Sequence, residues 1–239
     1  MSAAVETESS PAAARRPLSG AEAARYGVLR RLGPVLKHDM VVNLQAISMM
    51  VEVLNARLER GTPSPADFQT HIGKLNRLAR DAVASCLKVA AWIEPGEDQG
   101  IRLREGVDEC LALLASNFNF RGIAVSKDVA DADFQVWRVA LRNLLVVSLV
   151  AMTDAASCPC EVRVTAKVVN GFADISVAIA PRSDDVEAIP FEPGYRHLEW
   201  ADVQALARAE GVELVRTNDQ ITLRMPRAMA TAPLQIAPV

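Results

Sequence analysis

The chain has 239 residues, half of them hydrophobic, and a formal net charge of −3. That length allows two modest domains with apolar cores. The 26 Lys and Arg residues are scattered, which excludes a nucleic-acid footprint. The apolar run Leu144 to Met152 falls far short of the ~20 residues needed to cross a bilayer, so no membrane role is expected. The four cysteines, Cys86, Cys110, Cys158 and Cys160, are too few and too spread for a disulfide framework. Cys158-Pro159-Cys160 lacks a companion ligand cluster and reads as a loop before a strand. A reduced, cytoplasmic protein fits this usage.

Residues 1–19 are Ala-, Ser-, Glu-, Pro- and Arg-rich and read as a disordered leader. From about Ser19 to Arg60, Leu29, Leu32, Leu36, Met40, Leu44, Ile47, Val51, Leu54 and Leu58 recur at helical spacing and define one buried stripe. Pro34 predicts a kink or local irregularity within that helix. Gly61-Thr62-Pro63 ends it. Ser64 then caps a second helix, with Pro65 at its first position and Asp67 in its first turn. The second stripe is Phe68, Ile72, Leu75, Ala79, Ala82, Cys86, Val89 and Ile93. Residues 20–94 therefore predict an antiparallel helical hairpin. Its two stripes are broader than one hairpin can bury, and a second copy would complete a four-helix bundle, giving a homodimer.

Residues 95–100, polar and Gly/Pro-containing, form a linker to a second domain over 101–227. Ile101 to Leu103 alternates as a short strand, Gly106 to Asn119 reads as a helix, and Ile123 to Val125 as another strand. Phe134 to Met152 predicts a strongly apolar core helix. Val162, Val164, Ala166 and Val168 alternate with polar residues, Asn170-Gly171 supplies a turn, and Ile175, Val177 and Ile179 return, which predicts a hairpin. Pro181 to Tyr195 is irregular. Glu199 to Glu210 predicts a last helix closed by Gly211, followed by strands at Val212 to Val215 and Ile221 to Met225. The expectation is α+β, with helices mostly on one face of a mixed sheet. Residues 228–239 read as a loose tail.

His38 stands out in this frame. At about 100° per residue it lies about 200° from Leu36, away from the buried stripe. Asp39 follows it, and a carboxylate can hold one imidazole nitrogen as N–H while the other stays free as a nucleophile. An ordinary surface histidine is the plain alternative. Val41, Val42, Gln45 and Met49 fall on or beside the same face; exposed apolar residues there suit a docking patch for a partner, or else packing within the bundle. Lys37 suits steering of an acidic partner, or plain solvation. His71 reads as an outer-face residue of the second helix and His197 as a loop residue.

With the helical hairpin, the His38-Asp39 pair and the domain order that follows, the chain resembles a sensor histidine kinase core over roughly residues 20–227. The resemblance implies that residues 20–94 are a dimerisation and histidine-phosphotransfer domain with His38 as phosphoacceptor. It also implies that Asn43 corresponds to the amide that some of these families use to position a hydrolytic water. The run Phe134 to Leu145 is similar to the start of the family's asparagine-rich helix, and Ile221 to Pro226 to its last strand, so the second domain resembles an α/β sandwich ATP-binding domain.

The departures from that pattern point to a degenerate ATP-binding domain. The position four residues after Asn143, where the family has a magnesium-binding asparagine, is Val147. No Asp-x-Gly-x-Gly element follows the hairpin, and Gly194-Tyr195-Arg196-His197 offers one glycine where a phosphate-cradling lid needs several. What remains resembles the dimeric histidine phosphotransferases of bacterial phosphorelays. That likeness implies phosphoryl transfer between receiver-domain aspartates through His38, assisted by Asp39 and Asn43. No cofactor of its own is expected; magnesium would come with the partner receiver domain. The partners implied are response-regulator receiver domains and a hybrid histidine kinase. Two other readings stand beside it: a non-catalytic pseudokinase regulator that binds a kinase or response regulator, and an adaptor that binds a different small ligand in the old nucleotide cleft.

Overall fold

The computed structural model describes residues 11–61, 64–93, 99–130, 132–156, 159–182 and 196–228. Twelve elements follow in order: α1 (Pro11–Glu59), α2 (Pro65–Ile93), β1 (Gly100–Arg102), α3 (Leu103–Phe120), β2 (Ala124–Val129), β3 (Gln135–Trp137), α4 (Arg138–Ala155), β4 (Cys160–Val169), β5 (Phe172–Pro181), α5 (Trp200–Glu210), β6 (Glu213–Arg216) and β7 (Gln220–Pro226). They form two compact units. One is residues 31–97; the other joins residues up to Arg30 to the chain from Asp98 onward. The fold is α+β, with a long N-terminal helix and a mixed sheet.

The unit of residues 31–97 contains most of α1 and all of α2, helices where the sequence predicts two helices. The helix α1 begins at Pro11, earlier than Ser19, and continues through Pro34. Residues 11–18, expected within a disordered leader, have helical backbone; residues 1–10 lie outside the described residues. At the start of α2 the Ser64 hydroxyl accepts the Asp67 N–H at 3.2 Å and donates to the Asp67 carboxylate at 2.7 Å. This is the N-cap that the sequence predicts, with an acidic first turn that favours the helix dipole. Leu32, Leu36 and Leu54 of the α1 stripe are buried, as is Ala82 of α2. Leu44, Val51 and Leu58 on α1, and Phe68 and Ile72 on α2, are exposed in the single chain.

In the other unit a five-stranded sheet has the order β2-β4-β5-β7-β6, with β2 parallel to β4 and the remaining pairs antiparallel. Parallel pairing of β2 with β4 requires a crossover, which α4 supplies. Alternation decides the two faces: Val162, Val164 and Ala166 on β4, Ala173, Ile175 and Val177 on β5, and Ile221, Leu223 and Met225 on β7 are buried. Their neighbours are polar or half-exposed, so one face packs and the other meets water. The helix α4 is the core element, buried almost continuously from Leu144 to Thr153. Asn170 and Gly171 both have positive φ, 52° and 80°, and close the β4–β5 hairpin as an Asn-Gly turn should. Gly211 ends α5 in the left-handed conformation at φ 65°.

Two features differ from expectation. Residues Gln135–Trp137, expected as the first turn of the core helix, form β3 and pair antiparallel with β1, Val136 opposite Ile101. Residues Ser19 to Arg30, expected in the hairpin, belong with the C-terminal unit, where Ala21, Ala24 and Val28 are buried. Among the described residues no helix is long and apolar enough to cross a membrane. The irregular stretch expected over Pro181 to Tyr195 and the tail after Ala228 fall largely outside the described residues, as does Cys158.

Candidate phosphoacceptor site

A histidine in mid-helix cannot reach far, so its surroundings are set by the helix period. The His38 side chain is 75% exposed, and its Nδ1 lies 3.5 Å from Asp39 Oδ1. At about 100° per residue, Val42, Gln45 and Met49 fall within about 40° of His38, and Val41 within about 60°. All four are exposed, Met49 at 65% and Val42 at 45%. Lys37 and Asp39 flank this strip and are exposed as well. The structure thus brings Lys37, His38, Asp39, Val41, Val42, Gln45 and Met49 into one open sector of α1. The sector combines a nucleophile, a flanking carboxylate, a cation and an apolar strip that water covers poorly.

Asn43 is placed differently. Five residues after His38 it lies about 140° round the helix, half-buried, and its Nδ2 donates to Ser85 Oγ of α2 at 2.9 Å. One side-chain N–H is spent on the hairpin. The carbonyl oxygen, with two lone pairs, keeps its capacity to accept from water.

The other histidines have local partners. His71 Nδ1 sits 2.7 Å from the Asp67 carbonyl within α2. His197, a loop residue as expected, places Nδ1 3.9 Å from Asp154, whose carboxylate is almost fully buried. That carboxylate accepts from Arg121 at 3.2 Å and from the Leu198 N–H at 3.4 Å. A pocket of about 470 Å³ opens beside these residues, lined by apolar Met152, Ile179 and Ile221 and by Trp200, Arg216 and Asp219. The sequence held no sign of it, because its walls come from five separate elements and loops.

Asn143 and Val147, both singled out in the sequence, lie on α4 in the interior of the C-terminal unit. Val147 is fully buried in the core. Asn143 is buried and its Nδ2 donates to Glu210 Oε1 at 3.0 Å. Among the described residues, no group of three or more His, Cys, Asp or Glu side chains converges as a set of metal ligands.

No protein-family model matches this sequence, and no curated protein matches it. Solved structures with a distant likeness include the catalytic domain of the histidine kinase ThkA, at 14% identity over 55% of this chain and 97% of that one, with a TM-score of 0.44. The histidine kinase AdeS of Acinetobacter baumannii aligns at 12% identity over 79% of this chain and 97% of its own, with a TM-score of 0.42. A structure described as a bacterial phosphotransferase aligns at 17% identity over 82% of this chain and 95% of its own, with a TM-score of 0.36.

Proposed function

We propose that this protein is a phosphorelay histidine phosphotransferase, a homodimer that passes a phosphoryl group between receiver-domain aspartates through His38. The observation that carries this reading is the exposed His38–Asp39 pair set in an open strip of Val41, Val42, Gln45 and Met49. Burial of Val147 and the Asn143–Glu210 bond support transfer without ATP bound to the C-terminal unit, since a cation site would need those positions free.

The chemistry asks little of the protein beyond position. With Nδ1–H turned toward Asp39, the lone pair of His38 Nε2 attacks the phosphorus of a receiver's aspartyl phosphate in line. The N–P bond forms as the P–O bond to the aspartate breaks, and the carboxylate leaves with its electron pair. The imidazole gains positive charge, which the Asp39 carboxylate offsets. In the second step a carboxylate of another receiver attacks the same phosphorus and the N–P bond breaks. Magnesium and the cations that balance the transferring group come with the receiver. Lys37 steers the acidic receiver pocket toward His38, and the apolar strip docks it. Asn43 lies about 140° round α1 from His38 and donates to Ser85, so its part in hydrolysis of the phosphohistidine runs through a water held by its carbonyl oxygen and not through contact with the ring.

Incubation with a receiver phosphorylated on its aspartate tests the reading. Label should pass to the wild-type protein without ATP and should not pass to His38→Ala. If His38→Ala takes label as well as the wild type, phosphotransfer through His38 is wrong. If neither takes label yet both bind the receiver equally, the protein is a non-catalytic regulator.

A further inference from the structure

Glycine inside a helix costs roughly 0.5–1 kcal/mol relative to alanine, and proline more, because it has no N–H to give to the carbonyl four residues back. The helix α1 carries Gly20, Gly27, Gly33 and Pro34 in its interior. Two of these have a packing reason. A Cβ on Gly27 would lie 2.8 Å from Leu198 Cδ2, and one on Gly20 would lie 3.5 Å from Ala205 Cβ. With Ala21, Ala24 and Val28 buried, these small residues let α1 lie close to α5 and the turn before it. Polar groups fasten the contact: Arg25 donates to Glu210 Oε1 at 2.8 Å, and Asn143 of α4 donates to the same oxygen at 3.0 Å. The Glu210 carboxylate is mostly buried, so losing its cation leaves a poorly solvated charge.

Gly33 and Pro34 have no such reason. A Cβ on Gly33 would meet nothing within 4 Å, and Pro34 is exposed. They fall just past Arg30, where the chain passes from one compact unit to the other.

We propose that α1 is a jointed helix: residues 19–30 are latched onto the C-terminal unit by Arg25, Glu210 and Asn143, and Gly33-Pro34 is the joint between that latch and the segment bearing His38. The latch lies wholly within the C-terminal unit, which residues 19–30 thereby join. A partner that drew Arg25 or Glu210 away would release residues 19–30 from α5.

Hydrogen exchange on the full-length protein tests this and needs no phosphotransfer. In the wild type, amides of residues 20–30 should be protected to the degree of α5, while those of Val35 to Lys37 exchange at least tenfold faster. Arg25→Glu and Glu210→Arg should each speed exchange of residues 20–30 about tenfold and leave β4, β5 and β7 unchanged. The double variant Arg25→Glu/Glu210→Arg should restore protection, and Gly27→Leu should abolish it without touching a charge. Gly33→Ala/Pro34→Ala should slow the Val35–Lys37 amides to the rate of their neighbours. Failure of the double variant to restore protection overturns the latch, and wild-type Val35–Lys37 amides as slow as residues 24–30 overturn the joint.

Discussion

Asp39 and Asn43 both follow His38 in sequence but meet different neighbours, and their variants separate two roles. Asp39→Asn keeps the nucleophile and weakens the hold on Nδ1–H and the charge balance across the ring. Transfer from a phosphorylated receiver should slow by roughly 10- to 100-fold without stopping, as single-turnover labelling will read. Asn43→Ala removes the bond to Ser85 Oγ. It should cost about 1 kcal/mol in urea unfolding and lengthen the lifetime of phosphohistidine more than it slows transfer. An unchanged lifetime would assign Asn43 to the hairpin alone. The cysteines give a check on burial. Burial pushes the Cys110 thiol up to about 12, with the neighbouring Glu109 carboxylate adding to the rise, whereas Cys86 is exposed. A thiol reagent at pH 8 followed by peptide mapping should spare Cys110 in the folded protein until denaturant is added, and Cys86, which lies on the α2 stripe, should be labelled only where no second copy covers it. His38 was legible because helix period alone turns it from Leu36. The Ser85 partner of Asn43 was not, because nothing in a single helix's pattern names the residue opposite it.

Among the elements, those with a local signal were read from the sequence, and the one strand that has none, β3, was not. The Ser64 cap, the Asn170-Gly171 turn and the Gly211 stop each need only a few neighbouring residues. Strand β3 is three residues at the head of an apolar run, too short for a period of two to show, and it exists because Val136 meets Ile101 from β1. The packing of Ala21, Ala24 and Val28 was hidden for a related reason: small residues in a helix look like filler until something lies against them. The helix α4 gives a test of the proposed absence of a cation site. Val147→Asn would put an amide into a fully buried apolar position. It should destabilise the fold by about 2–4 kcal/mol, and calorimetry should detect no magnesium-dependent ATP binding in the variant. Micromolar, magnesium-dependent affinity in either form would overturn the degenerate reading.

On the scale of the whole molecule, the apolar residues left in water on the hairpin decide what the chain needs. Leu44, Val51 and Leu58 continue the buried stripe of α1, and Phe68 and Ile72 that of α2, yet all five are exposed in one chain. Covering such a side chain contributes roughly 1.5–3 kcal/mol, which a second copy could supply by completing a four-helix bundle. Light scattering at micromolar concentration should therefore give about twice the 25.8 kDa chain mass, and His38→Ala should leave that mass unchanged. A monomer would remove the homodimer from the account. The central claim, that His38 takes and gives the phosphoryl group, is tested most directly by mapping the adduct. The protein should be exposed to a phosphorylated receiver in the absence of ATP, digested under alkaline conditions and sequenced by mass spectrometry. A base-stable, acid-labile phosphate on His38, lost when an unphosphorylated receiver is added, is the result expected. Phosphate on any other residue, or none while the receiver keeps its own, would contradict it.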